Sequence, residues 1–246
     1  MAEEDLAPLP GAAGQTWAAG AHVLRVRPPG ALERELAACT AAGAVLPVPR
    51  FVDLVHLETV SAVLVERLPG MAAGELDGLA PEDARKRGLA CGRVHAALAE
   101  VLAPAVLPLA TGLVATAGAG GAPEGNRLLH LDLHPFNVLV DEAGQVCGVI
   151  DWANAAAGHP DLDRARSAAI FQCDPAAVAR RAHPASAALA EGWEDAAGLS
   201  GISATAMLWA YRYMLADLAG RYDDDQLSEL HRALDEQQHH VVGGAP

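Results

Sequence analysis

A chain of 246 residues with 52% hydrophobic and 20% charged residues is long enough for a filled core and too apolar to be disordered. Its formal net charge of −14, from 31 acidic and 17 basic residues, repels nucleic acid and anionic membrane and favours a cationic partner. No apolar run reaches spanning length, the start MAEEDLAPLPG lacks a signal-peptide core, and Cys39, Cys91, Cys147 and Cys173 read as separate reduced thiols, so a cytoplasmic location is expected.

In chain order, Gly11-Ala-Ala-Gly14 is a glycine-containing turn, followed by a strand over His22–Arg27 that puts Arg25 and Arg27 on one face. Pro28-Pro29-Gly30 ends the strand, and Leu32–Ala42 has helical periodicity with Glu33 and Glu35 on it. Strands are predicted over Phe51–Leu57 and Ala62–Leu68, the second closed by Pro69-Gly70. Residues 1–68 therefore read as a small strand-rich unit, and 69–246 as a larger helical one. Pro81–Leu102 carries Pro and acids in its first turn and Leu89, Val94, Leu98 and Leu102 at helical spacing. His95 within it is expected to pack or hydrogen-bond. Ala103–Gly125, with Ala117–Ala122 wholly Ala and Gly, reads as a flexible connection.

The most informative stretch is Leu128–Asp151, LLHLDLHPFNVLVDEAGQVCGVID. Val138–Val140 and Val146–Ile150, joined by Asp141-Glu-Ala-Gly144, form a hairpin pattern. Its closure brings Asn137 at one end to Asp151 at the other, with Asp132 on the loop that enters the first strand. Two acids and an amide at one mouth suit a divalent cation held against phosphate oxygens. A different arrangement puts His130, Asp132 and His134 on one strand face as ligands of a hydrolytic metal, although such a site has no need of Asn137 or of Ile150-Asp151-Trp152. Beyond the hairpin, Gly158-His159-Pro160-Asp161-Leu162-Asp163 opens a run of helical patterns. Trp193, Trp209, Tyr211 and Tyr213 have core-like spacing there. Asp217 and Asp223–Asp225 are candidates to meet a cationic amine, against the simpler account of solvated acidic residues. His239–Pro246 reads as a frayed end.

His130-x-Asp132-x-His134-Pro-Phe-Asn137, followed at hairpin distance by Asp151-Trp152, resembles the aminoglycoside phosphotransferase family of choline-kinase-like and antibiotic kinases. The resemblance implies an α+β, protein-kinase-like two-lobed fold, with a small antiparallel β-sheet N-lobe (1–68) and a larger, mostly helical C-lobe (69–246). It also implies Mg²⁺ and ATP (or GTP), and transfer of a phosphoryl group to a hydroxyl of an aminoglycoside-like or other cationic small molecule, in antibiotic resistance or metabolism. Matched position by position, Asp132 is the catalytic base, and Asn137 and Asp151 hold the metal. Arg25, paired with Glu35, grips the nucleotide phosphates. Backbone groups of Glu66, Arg67 and Leu68 meet the adenine edge, and Gly14 lies in the turn over the phosphates. His130, His134 and Asp163 support the site without touching the reactants. The alternative is a kinase-fold protein that binds nucleotide or ligand with little turnover, a reading raised by Arg25 and the short glycine turn.

Overall fold

Alternating apolar and β-branched residues in the first quarter of the chain build one antiparallel sheet. In the computed structural model, which describes residues 6–9, 15–114 and 122–243, its strands are β1 (Ala7–Pro8), β2 (Thr16–Ala19), β3 (His22–Arg27), β4 (Phe51–His56) and β5 (Ser61–Glu66). They run in the order β1-β2-β3-β5-β4, with Arg25 of β3 opposite Val63 of β5. Helix α1 (Ala31–Ala42) follows the Pro-Pro-Gly stop, where Gly30 takes a left-handed conformation that a side chain would strain. Leu32, Ala38 and Ala42 are its buried face. Gly11–Gly14 and Ala117–Gly121 lie outside the described residues.

The chain leaves this sheet after Glu66 and joins a second one. There β6 (Met71–Ala72) pairs with β8 (Val138–Val140), which pairs with β9 (Val146–Val149) in the expected hairpin. A further pair joins β7 (Arg127–Leu129) to β10 (Ala156–Gly158). The remaining elements are α2 (Pro81–Leu98), α3 (Pro160–Cys173), α4 (Pro175–Arg180), α5 (Pro184–Ala197), α6 (Ala204–Leu218) and α7 (Ser228–Gly243). Helices α2 to α5 each open on proline, which fits the first turn because its missing N–H has no partner there anyway. The mixed α+β architecture, with its antiparallel sheet followed by helices, is the one expected.

Two apolar clusters fill the helical part. One gathers Leu98, Val138, Trp152, Leu189 and Trp193, the other Leu162, Trp209, Met214, Leu218 and Leu230. They meet along residues 128–133: Leu128 and Leu133 belong to the first, Leu129 and Leu131 to the second. Asp132 is thus a polar residue flanked by two fully buried leucines. Trp193, Trp209 and Tyr211 are core residues, as their spacing suggests.

Two boundaries differ from expectation. Helix α2 stops at Leu98: the chain turns so that Val101 O accepts from Leu128 N at 2.9 Å, and Leu102 is left 60% exposed. At the other end, α7 stays helical through Gly243 where fraying was expected. Leu230 is buried in the second cluster, and the Gln237 amide donates to Ala204 O at 3.0 Å, so tertiary contacts hold the helix.

Helices α2 and α5 approach through glycine. A Cβ on Gly88 would collide with the Leu189 carbonyl, and one on Gly192 with that of Arg85. Gly88→Ala and Gly192→Ala are each expected to destabilise by about 1–3 kcal/mol through overpacking. Gly201→Ala, whose Cβ would meet open space, is the near-neutral control. Urea unfolding midpoints of the three variants check this.

Candidate active site

The loop entering β8 is held in a conformation the chain would not choose. Leu131 has φ 60°, left-handed for a branched side chain, at a cost of about 1–2 kcal/mol. Its flanking groups are fixed from α3. Asp163 Oδ1 accepts from His130 N at 3.0 Å and Leu131 N at 2.7 Å, while Arg166 Nε donates to Leu131 O at 3.2 Å and Ser167 Oγ to Leu133 O at 2.6 Å. His130 is fully buried, its Nε2 donating to Ile150 O at 2.9 Å and its Nδ1 accepting from Asp132 N at 3.3 Å. The loop is thereby tied to the far end of the hairpin, and the Asp132 carboxylate is left at the surface of the cleft.

Asp163 is itself supported from α2. His95 Nε2 accepts from the Trp193 indole at 3.4 Å, which puts the ring proton on Nδ1, 3.3 Å from Asp163 Oδ2. Burial alone would raise the Asp163 carboxyl, but His95, His130 and the Leu131 N–H outweigh it and hold the group below the usual carboxylate range. His95 is a core residue hydrogen-bonded to Trp193, and its other nitrogen faces the residue that shapes the loop.

The hairpin delivers the other two polar groups. Asn137 Nδ2 donates to Asp132 O at 2.8 Å and to Asp132 Oδ2 at 3.2 Å, and Ile150 N donates to Asn137 O at 3.0 Å. Asp151 follows with φ 63°, a second left-handed non-glycine residue. Its Oδ1 accepts from Arg25 Nη2 at 2.8 Å, and Arg25 Nη1 in turn bonds the buried Glu35. Burial would lower the Arg25 pKa, but the two carboxylates raise it on balance. Burial dominates at Glu35 and raises it, whereas at Asp151 the desolvation is outweighed by Arg25 and the carboxyl is held low. His134, 3.1 Å from Asn137 Nδ2, is kept below its ordinary pKa chiefly by burial, against the pull of Asp132.

Asn137 Oδ1 and the second oxygen of Asp151 accept no hydrogen bond among the described residues. These are hard oxygen donors beside Asp132, the set a Mg²⁺–phosphate complex needs. His130, Asp132 and His134 do not form the alternative metal site. Both His130 nitrogens are engaged, and no group of three His, Cys, Asp or Glu among the described residues is arranged to hold a metal.

These residues line a cleft of about 1140 Å³ that runs from the first sheet to α6. At the sheet end its walls are Val23, Val65, Leu68, Leu139 and Ile150, an apolar slot. The N–H groups of Glu66 and Arg67 are already donated to Arg50 O and Ala21 O, at 2.8 and 2.9 Å, whereas that of Leu68 meets no backbone acceptor among the described residues. The Glu66 side chain pairs with Arg50 at 2.7 Å in solvent. Gly14, the expected phosphate-turn glycine, lies outside the described residues.

Beyond Asp132 the cleft is lined by Phe136, Arg166, Asp174, Arg180, Asp217 and Arg221. Asp217, a candidate for an amine, is taken by Arg166 at 2.6 Å and Arg221 at 3.4 Å. Arg166 is the residue that motif reading misses. The available signal is an arginine three places after Asp163, hence on the same helical face, among the small buried residues Ala165, Ala168 and Ala169.

Residues 119–208 match the family described as "Phosphotransferase enzyme family", APH. Among solved structures, the chain is similar to a thermostable mutant of aminoglycoside phosphotransferase APH(4)-Ia in ternary complex with AMP-PNP and hygromycin B. That match has a TM-score of 0.65 at 18% identity and covers 98% of this chain and 94% of the other. APH(3'')-Id from Streptomyces rimosus ATCC10970, in complex with ADP and streptomycin, matches with a TM-score of 0.57 at 17% identity, covering 96% and 93%. A choline/ethanolamine kinase family protein from Mesorhizobium loti matches with a TM-score of 0.51 at 15% identity, covering 98% and 88%. The fold is therefore the protein-kinase-like one expected from the motif. Among curated proteins, the uncharacterized protein YcbJ of Bacillus subtilis (strain 168) is 39% identical over 49 residues, 20% of this chain and 16% of that protein.

Asp163→Asn keeps the shape of the loop support and removes its charge beside His95. Weakening its charge-assisted bonds to two buried backbone N–H groups is expected to cost about 1.5–3 kcal/mol at pH 7. Because the folded carboxyl titrates below its unfolded value of about 3.9, its contribution is complete above that range and disappears as pH falls through the folded value. The difference in unfolding free energy between the wild type and the variant should therefore shrink from pH 7 to pH 3, as measured by urea titration.

Proposed function

We propose, from a chain whose catalytic segment matches the phosphotransferase enzyme family, that this protein is a Mg²⁺- and ATP- (or GTP-) dependent kinase of a small-molecule hydroxyl. The observation that carries the reading is the meeting of Asp132, Asn137 and Asp151 midway along one cleft, apolar at one end and charged at the other.

In this reading the adenine lies in the slot of Val23, Leu139 and Ile150, its edge on the Leu68 N–H and the neighbouring carbonyls. Arg25 holds the phosphates from β3. It is positioned by Glu35 and has a buried Nε with no partner among the described residues, a donor available to a phosphate oxygen. Asn137 and Asp151 hold Mg²⁺, which when bound neutralises charge on the phosphate oxygens. Asp132 orients the acceptor hydroxyl and takes its proton, and Asn137 Nδ2 fixes the angle of its carboxylate. His130, His134 and Asp163 keep that geometry from behind. The lobes divide at residues 68/69, and the protein works in the cytoplasm.

Hygromycin B and streptomycin in the structural neighbours, together with the −14 net charge, favour a cationic acceptor at the level of the whole molecule. The acceptor end of the cleft does not share that acidity. One observation favours the second reading, nucleotide binding with little turnover: the Arg25–Asp151 ion pair engages the carboxylate on which metal binding depends.

Thermal unfolding with and without Mg²⁺–ATP or Mg²⁺–GTP tests the proposal. A nucleotide at a hundred times its Kd should stabilise the protein by about 2.7 kcal/mol, and Asp151→Ala should abolish that effect. Asp132→Asn should retain it while losing about 10²–10⁴-fold in turnover. No stabilisation by either nucleotide would reject the kinase reading. A Mg²⁺-dependent rise with no product from any acceptor would favour the binding protein.

A further inference from the structure

Past Asp132, the cleft is built around a buried arginine. Arg166 is 2% exposed. Its Nε serves Leu131 O, its Nη2 bonds Asp217 at 2.6 Å and lies 4.0 Å from Asp132 Oδ1, and its guanidinium sits 5.2 Å from the centre of the Tyr213 ring. Those contacts leave Nη1, which is buried and has no hydrogen-bond partner among the described residues. A guanidinium with an unsatisfied donor is under-compensated in its charge, and its Nη2 is the nitrogen that lies towards the proposed base.

Its surroundings reinforce the sign of the charge. Arg180, Arg181 and Arg221 also line this end of the cleft. Arg180 lies 4.7 Å from the centre of the Phe136 ring, and Arg221 is 3.4 Å from Asp217. The facing carboxylates are largely committed. Asp217 is shared by Arg166 and Arg221, and Asp174 Oδ1 caps α4 by accepting from Ala176 N and Ala177 N at 2.9 and 3.1 Å. Exposed Glu75 also lines the cleft, and Arg181 is 3.7 Å from Glu229 and donates to Gln172 O, which leaves Arg180 as the least compensated of the four. A polycationic acceptor would bring ammonium groups towards four guanidinium groups and displace ion pairs already made. An anionic acceptor would match the sign of the guanidinium whose Nη2 lies 4.0 Å from Asp132 and would leave those ion pairs in place.

We propose that the acceptor is a small anion, a molecule carrying its reactive hydroxyl and a carboxylate or phosphate monoester a few bonds apart, with Arg166 binding the anionic group while Asp132 receives the hydroxyl. The inference rests on the kinase reading above. The acceptor oxygen forms a bond to the γ-phosphorus of ATP, the bond from that phosphorus to the β,γ-bridging oxygen breaks, ADP leaves with the electron pair, and the hydroxyl proton passes to Asp132. A guanidinium that served only the transferring phosphate would act on every acceptor alike, and this separates the two roles.

The test uses the full chain with Mg²⁺–ATP and three acceptor panels: hydroxycarboxylic acids, sugar monophosphates, and hydroxyl-bearing amines including aminoglycosides. ADP release and the mass of the product are read for each. The expected result is a kcat/KM at least about tenfold higher for one anionic panel than for the amines, and which panel responds identifies the anion. Converting the best hydroxycarboxylate to its methyl ester, or a sugar phosphate to the free sugar, should remove about tenfold or more. Arg166→Lys and the more exposed Arg221→Ala should raise KM for the anion, Arg166→Lys more, with a retained Mg²⁺–ATP thermal shift showing that each is folded. If Arg166→Lys does not fold, the neutralised acceptors and Arg221→Ala still decide. Turnover of amines alone, nucleotide binding with no anionic acceptor turned over, or an equal kcat loss on charged and neutral acceptors would each overturn the proposal. Absence of nucleotide binding in the wild type is a different failure, that of the kinase reading itself.

Discussion

One carboxylate sets the geometry on which the rest of the site depends. Asp163 takes the N–H groups of His130 and Leu131 on a single oxygen and so holds the residue before Asp132 in a left-handed conformation that costs about 1–2 kcal/mol. Two charge-assisted bonds to buried backbone donors are each worth about 1.5–3 kcal/mol, enough to sustain that strain. The arrangement works because Asp163 stays ionised without water, with His95 from α2 at its other oxygen. Asp132 is therefore aimed by backbone conformation, and its own side chain needs little holding beyond the Asn137 amide.

The second device is electrostatic and joins elements distant in sequence. Glu35 on α1, Arg25 on β3 and Asp151 after the hairpin form one chain of charge across the cleft. One cation between two anions lets Glu35 be buried while Asp151 stays partly open to the cleft, at the cost of leaving Glu35 the easier of the two to protonate. The cleft changes character along its length, apolar at the sheet end and lined beyond Asp132 by Arg166, Arg180 and Arg221 with Asp174 and Asp217.

The convergence of Asp132, Asn137 and Asp151 is legible in sequence because a hairpin is a local structure, and its closure follows from strand pattern and turn residues within two dozen positions. The pairing of Arg25 with Glu35 is reached through the family resemblance, the two lying on adjacent elements with a clear strand stop between them. The Arg166–Asp217 pair is not legible, because the two sit on helices whose mutual placement depends on how α3 meets α6, which no short spacing encodes. The strands β6, β7 and β10 escape because two or three residues cannot display an alternation. The His95–Asp163 contact escapes too: a histidine on a buried helical face announces a partner without saying which. The end of α2 at Leu98 is hidden because Leu102 keeps the helical period after the chain has turned.

The leucines around Asp132 have a mechanical consequence. One short segment is embedded in two adjoining apolar clusters, its outer leucines in one and its inner leucines in the other, so the aspartate stands on the seam between them, and its coordinates register the difference between two packings. Close-packed bodies of this kind move as blocks more readily than they deform. A slip of one block against the other, seeded as far away as α7, would arrive at the seam as a displacement of the carboxylate. At that point a shift of about one ångström is worth orders of magnitude in rate. Helices that never approach the cleft are therefore part of its calibration.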